Sequence, residues 1–295
     1  MTWRRDRDSN PGKVALQRFS RPPQSTALPS LRWRYYRKIS WFAIKNLCYH
    51  AIFQDFKKNM RHFLQPVHDE WRPLLERAFQ AMDAEYLDAL NQTTNWLPGT
   101  QQLLASFSRP LQHLSYVLLG ESPYPRMQSA NGYAFWDAAV GDLWGPQGLS
   151  TSVNRATSLR NFIKMLLHAR GDLQHDYSKP AIMALDKSAY VKTASQFFTG
   201  LLDHGFLLLN ACLVYRHNEV PMHARFWQPF MKTLFQGLLE TKPQVQLILL
   251  GKVAQSVPET EHFVCVVAEH PYNISFITNP NVIDVFKPMD LLKAP

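Results

Sequence analysis

"LSYVLLGESPYP", Leu114 to Pro125, decides the fold. It opens as an apolar run, stops on Gly120, and then sets two prolines and a tyrosine around one serine, Ser122. The apolar residues are nearly continuous rather than alternating, which suits a strand covered on both faces, as in a parallel sheet. Three further runs have the same character: "GFLLLNACL" (Gly205–Leu213), "VQLILLG" (Val245–Gly251) and "FVCVVAE" (Phe263–Glu269).

Helical spacing separates these runs. "SLRNFIKMLLHA" (Ser158–Ala169) and "AYVKTASQFFTGLLD" (Ala189–Asp203) lie between the first two, and "ARFWQPFMKTLFQGLLE" (Ala224–Glu240) between the next two. Only a short connection precedes the fourth. Upstream, the spacing predicts one helix over Asp69–Gln92 and another over 101–112. Strands alternating with helices imply right-handed crossovers and an α/β fold, a three-layer α/β/α sandwich around a four-stranded parallel sheet.

Charge is unevenly placed. Residues 1–40 hold ten Lys and Arg against Asp6 and Asp8, so they carry +8 of the total +9 and the other 255 residues net only +1. This basicity belongs to a Pro/Ser-rich stretch without apolar periodicity, so it says little about the partner of the folded part. Residues 1–59 are therefore expected to be a disordered extension, with Met60 an alternative start, and 60–295 to be the folded domain. Trp41–Phe56 has helical spacing but could equally belong to the extension. Cys48, Cys212 and Cys265 are odd in number and far apart, which argues against a disulfide framework or a structural zinc site. No apolar run reaches the ~18 residues of a membrane helix. A soluble, cytoplasmic protein is expected.

Polar or unusual residues collect at three strand ends: "ESPYP" after the first run, Asn210 late in the second, and "EHPYNIS" after the fourth. In open parallel sheets ligands bind beyond the carboxyl ends of the strands, so these segments would line one crevice. A serine-esterase reading has two facts against it. Gly120-Glu121-Ser122 begins like a G-x-S-x-G nucleophile elbow with His270 as base, but the fifth position is Tyr124. Pro123 follows the serine and has no N–H to offer an oxyanion hole.

The same segments resemble the uracil-DNA glycosylase family. "LGESPYPRMQSANGYAF" is similar to its first motif, G-Q-D-P-Y-H followed by a Gly-rich loop and G-x-A-F. "GFLLLNACLVYR" is similar to its L-L-L-N-x-x-L-T-V-R strand, "LILLGKVAQ" to L-L-W-G-x-x-A-Q, and "AEHPYNIS" to A-P-H-P-S-P-L-S. Four motifs in order cover about residues 114–276.

The resemblance implies hydrolysis of the N-glycosidic bond of uracil, or a related base, flipped out of DNA. Phe135 would stack on the base, although core packing would equally explain a phenylalanine there. Tyr124 would stand beside C5 and exclude thymine's methyl. Asn210 would read N3–H and O4 with its amide, and His270 would donate to O2 of the departing anion. For the DNA backbone, Ser158 and Ser275 match serines of the family's phosphate-gripping loops, Lys252 replaces a third, and Ile274 falls at the wedge leucine. DNA, single- or double-stranded, is the expected partner of a monomer without cofactor or metal.

One departure matters most. Ser122 occupies the position of the family's water-activating aspartate. A serine can hold a water but is neutral and cannot take its proton at pH 7. Glu121, beside it, replaces a glutamine and is a second candidate for base. Pro125 replaces a histidine, "RMQS" a Gly-rich turn, "YN" the "SP" of the last loop, and Leu250 a tryptophan. The resemblance therefore implies a glycosylase of weakened activity, or alternatively an inactive homologue that binds DNA or protein through the same crevice.

Overall fold

The computed structural model describes residue 63 and residues 66–294. The expected 1–59 extension, the Trp41–Phe56 segment and Cys48 lie outside the described residues. Each apolar run supplies one strand: β1 (Tyr116–Gly120), β2 (Phe206–Asn210), β3 (Gln246–Leu250) and β4 (Val264–Ala268). All pair in parallel, in the spatial order β2-β1-β3-β4, with Gly120 opposite Asn210.

Alternate residues of the central strands enter two separate cores. Val117, Leu119, Leu207, Leu209, Leu247 and Leu249 face one, where Trp227, Phe230 and Leu234 of α7 (Val220–Thr241) cover them. Leu118, Leu208, Ile248 and Leu250 face the other, under Phe162 and Leu166 of α4 (Thr157–Arg170) and Phe197, Phe198 and Leu201 of α6 (Ala194–Asp203). Both faces are covered, so apolar residues stand at every position rather than at alternate ones. This is a three-layer α/β/α sandwich.

Four expectations need correction. Asp69–Gln92 is not one helix: a short 3₁₀ turn leads into α1 (Arg72–Gln80), and α2 (Ala84–Asn91) starts anew where the Asp83 carboxylate accepts the Tyr86 N–H at 2.8 Å. An N-cap carboxylate satisfies a free helical N–H and so favours a new start over continuation. Residues 101–112 contain only 3₁₀ turns, at Ala105–Ser108 and Leu111–His113. The segment expected as a helix from Ala189 is extended to Thr193, whose side chain and Gln196 form a capping box that starts α6 at Ala194. β4 also departs from a fully buried strand. It is a sheet edge, and Val264 and Val267 are exposed.

The remaining helices are α3 (Thr151–Arg155), α5 (Lys179–Ala184), α8 (Lys252–Gln255) and α9 (Pro280–Phe286). Trp144–Gly145 and Gly148–Leu149 form a small antiparallel ladder outside the main sheet. No described helix is long and apolar enough to cross a membrane.

Candidate active site

The loop after β1 and the end of β2 are tied together where the sheet stops. The ladder continues past the strands, with Ala211 N–H donating to Gly120 O at 2.9 Å and Cys212 N–H to Glu121 O at 3.0 Å. Only glycine fits at 120. A Cβ there would lie 2.8 Å from Asn210 Oδ1 and 3.0 Å from the Ala134 methyl. Asn210 itself is 3% exposed, and its Oδ1 lies against Gly120.

Phe135 closes this corner in a strained conformation. Its φ is +63°, in the left-handed region that bulky residues avoid. Two hydrogen bonds hold it: Ala134 N–H to Leu208 O at 3.0 Å, and the Tyr124 hydroxyl to Phe135 O at 3.1 Å. Burial, reinforced by the Asp137 carboxylate, pushes the Tyr124 phenol well above its ordinary range, so it remains a neutral donor. Part of the Phe135 ring packs on the core formed by α4 and α6, beside Ser158.

His270 arrives from the far edge of the sheet. Its ring centroid is 5.9 Å from that of Phe135, and Gly251 (φ +87°) packs against its Cβ, where an added methyl would sit at 3.1 Å. The Tyr272 N–H donates to His270 Nδ1 at 3.1 Å. An accepting Nδ1 carries no proton, so the neutral ring keeps its proton on Nε2 as a donor. Burial lowers the His270 pKa below the ordinary 6.5, and the Glu121 carboxylate pulls it partly back. Titration followed by NMR is expected to give a midpoint below 6.5, lowered further in Glu121→Gln. A midpoint unmoved by that substitution would remove Glu121 from the site.

Asn161, on the buried face of α4, holds the His270 loop. Its Nδ2 faces three carbonyls, those of Pro271 at 2.8 Å, Tyr272 at 3.3 Å and Asn273 at 3.4 Å. A sequence reading misses it, and the one available signal is a polar residue set among the apolar positions of "SLRNFIKML". Asn161→Ala is expected to cost about 1–3 kcal/mol in urea unfolding, and Asn161→Asp more, because a carboxylate would face carbonyl oxygens. Equal stability of the Asp variant and the wild type would contradict that geometry.

The remaining expected residues are spread around this centre. Ser122 and Glu121 line a cavity of about 220 Å³ with Cys212, Pro221, Met231 and Val257. Cys212 offers no thiolate there, since burial pushes its thiol up to about 12. Ser158 lies in the first turn of α4, which has no side-chain cap. Lys252 opens α8 and is exposed. Ile274 is 80% exposed, and Ser275 is exposed beside it. The structure thus gathers Tyr124, Phe135, Asn210, Ser158 and His270, sets Glu121 and Ser122 in a cavity lined by none of Tyr124, Phe135, Asn210 or His270, and leaves Lys252, Ile274 and Ser275 on surrounding segments. Among the described residues no group of three or more His, Cys, Asp or Glu is placed to hold a metal ion.

No protein-family model matches the chain. It is 38% identical to the wild-type UNG of Nitratifractor salsuginis, whose crystal structure superposes with a TM-score of 0.76 over 82% of this chain and 98% of that one. The uracil-DNA glycosylase of Helicobacter pylori strain J99 is 28% identical over 225 residues, covering 71% of this chain and 85% of the relative. That of Campylobacter jejuni strain 81-176 is 25% identical over 216 residues, covering 70% and 80%. Mimivirus uracil-DNA glycosylase, at 17% identity and a TM-score of 0.50, shares the fold alone.

Proposed function

This chain belongs to the uracil-DNA glycosylase family, and from that premise we propose that it hydrolyses the N-glycosidic bond of uracil, or a closely related base, in DNA, at a rate lowered by the serine at 122. One observation carries the reading: the side-chain amide of Asn210, a residue only 3% exposed, packed against Gly120 at the strand end beside Phe135 and His270. An amide presents one donor and one acceptor, the complement of uracil's O4 and N3–H. Phe135 supplies an aromatic face for the flipped ring, and the Tyr124 ring leaves no room at C5 for a methyl group. As the bond breaks, negative charge collects on the base, and the Nε2–H of neutral His270 is the donor for its O2.

Ser122 orients the attacking water without removing its proton. Glu121, which influences His270 electrostatically and shares a cavity with Ser122, is the nearby carboxylate able to take that proton. Around the pocket, the uncapped first turn of α4 at Ser158, the Lys252 ammonium and Ser275 would receive phosphates, and Ile274 would fill the space left by the flipped base.

The test is excision from a single-stranded oligonucleotide carrying one uracil, with enzyme in excess. Release of uracil and not thymine, lost in Asn210→Ala, is the expected result. If neither the wild type nor Ser122→Asp releases uracil, the pocket does not serve this reaction. Release by Ser122→Asp alone would mark the natural protein as a binding module.

A further inference from the structure

The segment that carries Tyr124 is tied to the segment that carries Phe135 twice, at the same offset. The Tyr124 hydroxyl donates to Phe135 O at 3.1 Å, and two residues further along on each side Arg126 Nη2 donates to Asp137 Oδ2, also at 3.1 Å. The two sides differ in how they are held. The Phe135 side is built into the body of the fold: Ala134 N–H donates to Leu208 O of β2, and the Trp136 ring stacks on Phe198 of α6 with centroids 5.0 Å apart. The Tyr124 side runs outward to Met127, which is 81% exposed.

Asp137 belongs to the fixed side. Its side chain is only 4% exposed, and its second oxygen accepts the Ala139 N–H at 2.9 Å. The Arg126 side chain, 58% exposed, reaches it from outside. A buried ion pair contributes little net stability, so a carboxylate in this place calls for a second role, that of a fixed point to which an outer arm is fastened. Both charges reach the phenol. Beyond burial, the Asp137 carboxylate opposes ionisation of Tyr124 and the Arg126 guanidinium favours it. A ring beside C5 excludes a methyl group only as firmly as the ring itself is held, and one methyl is worth ~10- to 200-fold in a fitted pocket.

We propose that the Arg126–Asp137 pair is a positioning device for base selection: it fastens the Tyr124 arm to the Phe135 wall and so sets how strongly the pocket prefers uracil over thymine. This rests on the glycosylase reading and adds to it two specificity-determining residues that act through Tyr124.

Binding of two single-stranded oligonucleotides, followed by fluorescence anisotropy, provides the test. One carries 2′-fluorinated deoxyuridine, whose fluorine disfavours the sugar cation and so resists cleavage, and the other carries its 5-methyl counterpart. The readout is the ratio of the two affinities, which a general loss of packing leaves unchanged because it weakens both. The wild type is expected to prefer the uracil oligonucleotide by ~10-fold or more, and Asp137→Asn and Arg126→Met each to narrow that preference roughly 5-fold. Arg126→Met/Asp137→Asn, which leaves no charge unpaired, should narrow it by the same factor as either single change, because all three break one tie. In a Tyr124→Ala background, Asp137→Asn should change the ratio no further. A preference that survives Asp137→Asn or Arg126→Met overturns the proposal, as does equal weakening of both oligonucleotides. Recovery of the wild-type preference in the double variant would trace the effect to an unpaired charge, and further narrowing in the Tyr124→Ala background would trace it to another route. Either result removes the positioning role while leaving the glycosylase reading intact. A wild type with no preference for uracil sinks that reading, and the role of the pair with it.

Discussion

Ser122→Asp is expected to raise the single-turnover rate of uracil excision roughly a thousandfold. A carboxylate ~4 Å from the developing sugar cation, at an effective dielectric of ~20, contributes ~4 kcal/mol of attraction absent from the wild type. General-base help to the water is of similar order, ~10²–10⁴, but the two overlap and do not multiply. Glu121 complicates the gain. Two adjacent carboxylates oppose each other's ionisation, so the single variant should gain activity at a higher pH than Glu121→Gln/Ser122→Asp. The converse experiment separates the candidates for base in the natural protein. If Glu121→Gln abolishes excision by the wild type, Glu121 is the base. If Ser122→Asp leaves the rate unchanged, position 122 does not face the reacting bond.

His270→Ala should lower the rate by ~10²–10³, the usual cost of removing one preorganised donor to a developing oxyanion. The pH dependence distinguishes this role from simple loss of packing. In the neutral ring Nε2 carries the proton and Nδ1 accepts from Tyr272 N–H, so protonating Nδ1 keeps the Nε2 donor but breaks the bond that orients the ring. Because burial depresses the His270 pKa, that form persists as pH falls below 6.5 and is lost only through the lower folded value. The wild-type rate should therefore hold through pH 6.5 and fall below it. The Ala variant should lack that descending limb. An unchanged limb in the variant would assign the titration to another group.

Much of the fold was legible because the relevant physics is local. Strands buried on both faces read as unbroken apolar runs, and all four strands lie within the runs identified by that pattern. Helix starts were less legible. Asp83 and Thr193 begin new helices inside segments whose periodicity had merged them with their surroundings, and in each case a side-chain cap outweighed the pattern. The exposure of Val264 and Val267 could not be read from composition, because an edge strand has the same residues as a central one and differs only in its neighbours.

The candidate site divides in the same way. Residue types at strand ends singled out Tyr124, Asn210 and His270, the family resemblance added Phe135, and the strand-end residues converge because parallel strands end on one side of a sheet. What the sequence by itself determined is the set of strands, the layers they require and the chemical groups offered at their carboxyl ends, since burial and side-chain chemistry are properties of local pattern. Only the tertiary structure decided the order β2-β1-β3-β4, the left-handed Phe135, the packing of Asn210 against Gly120, the proton position on His270 and the clamp from Asn161. Those features depend on contacts between distant segments, such as an amide and a carbonyl 110 residues apart in the chain, whose pairing is set by packing and by the need to satisfy every buried polar group.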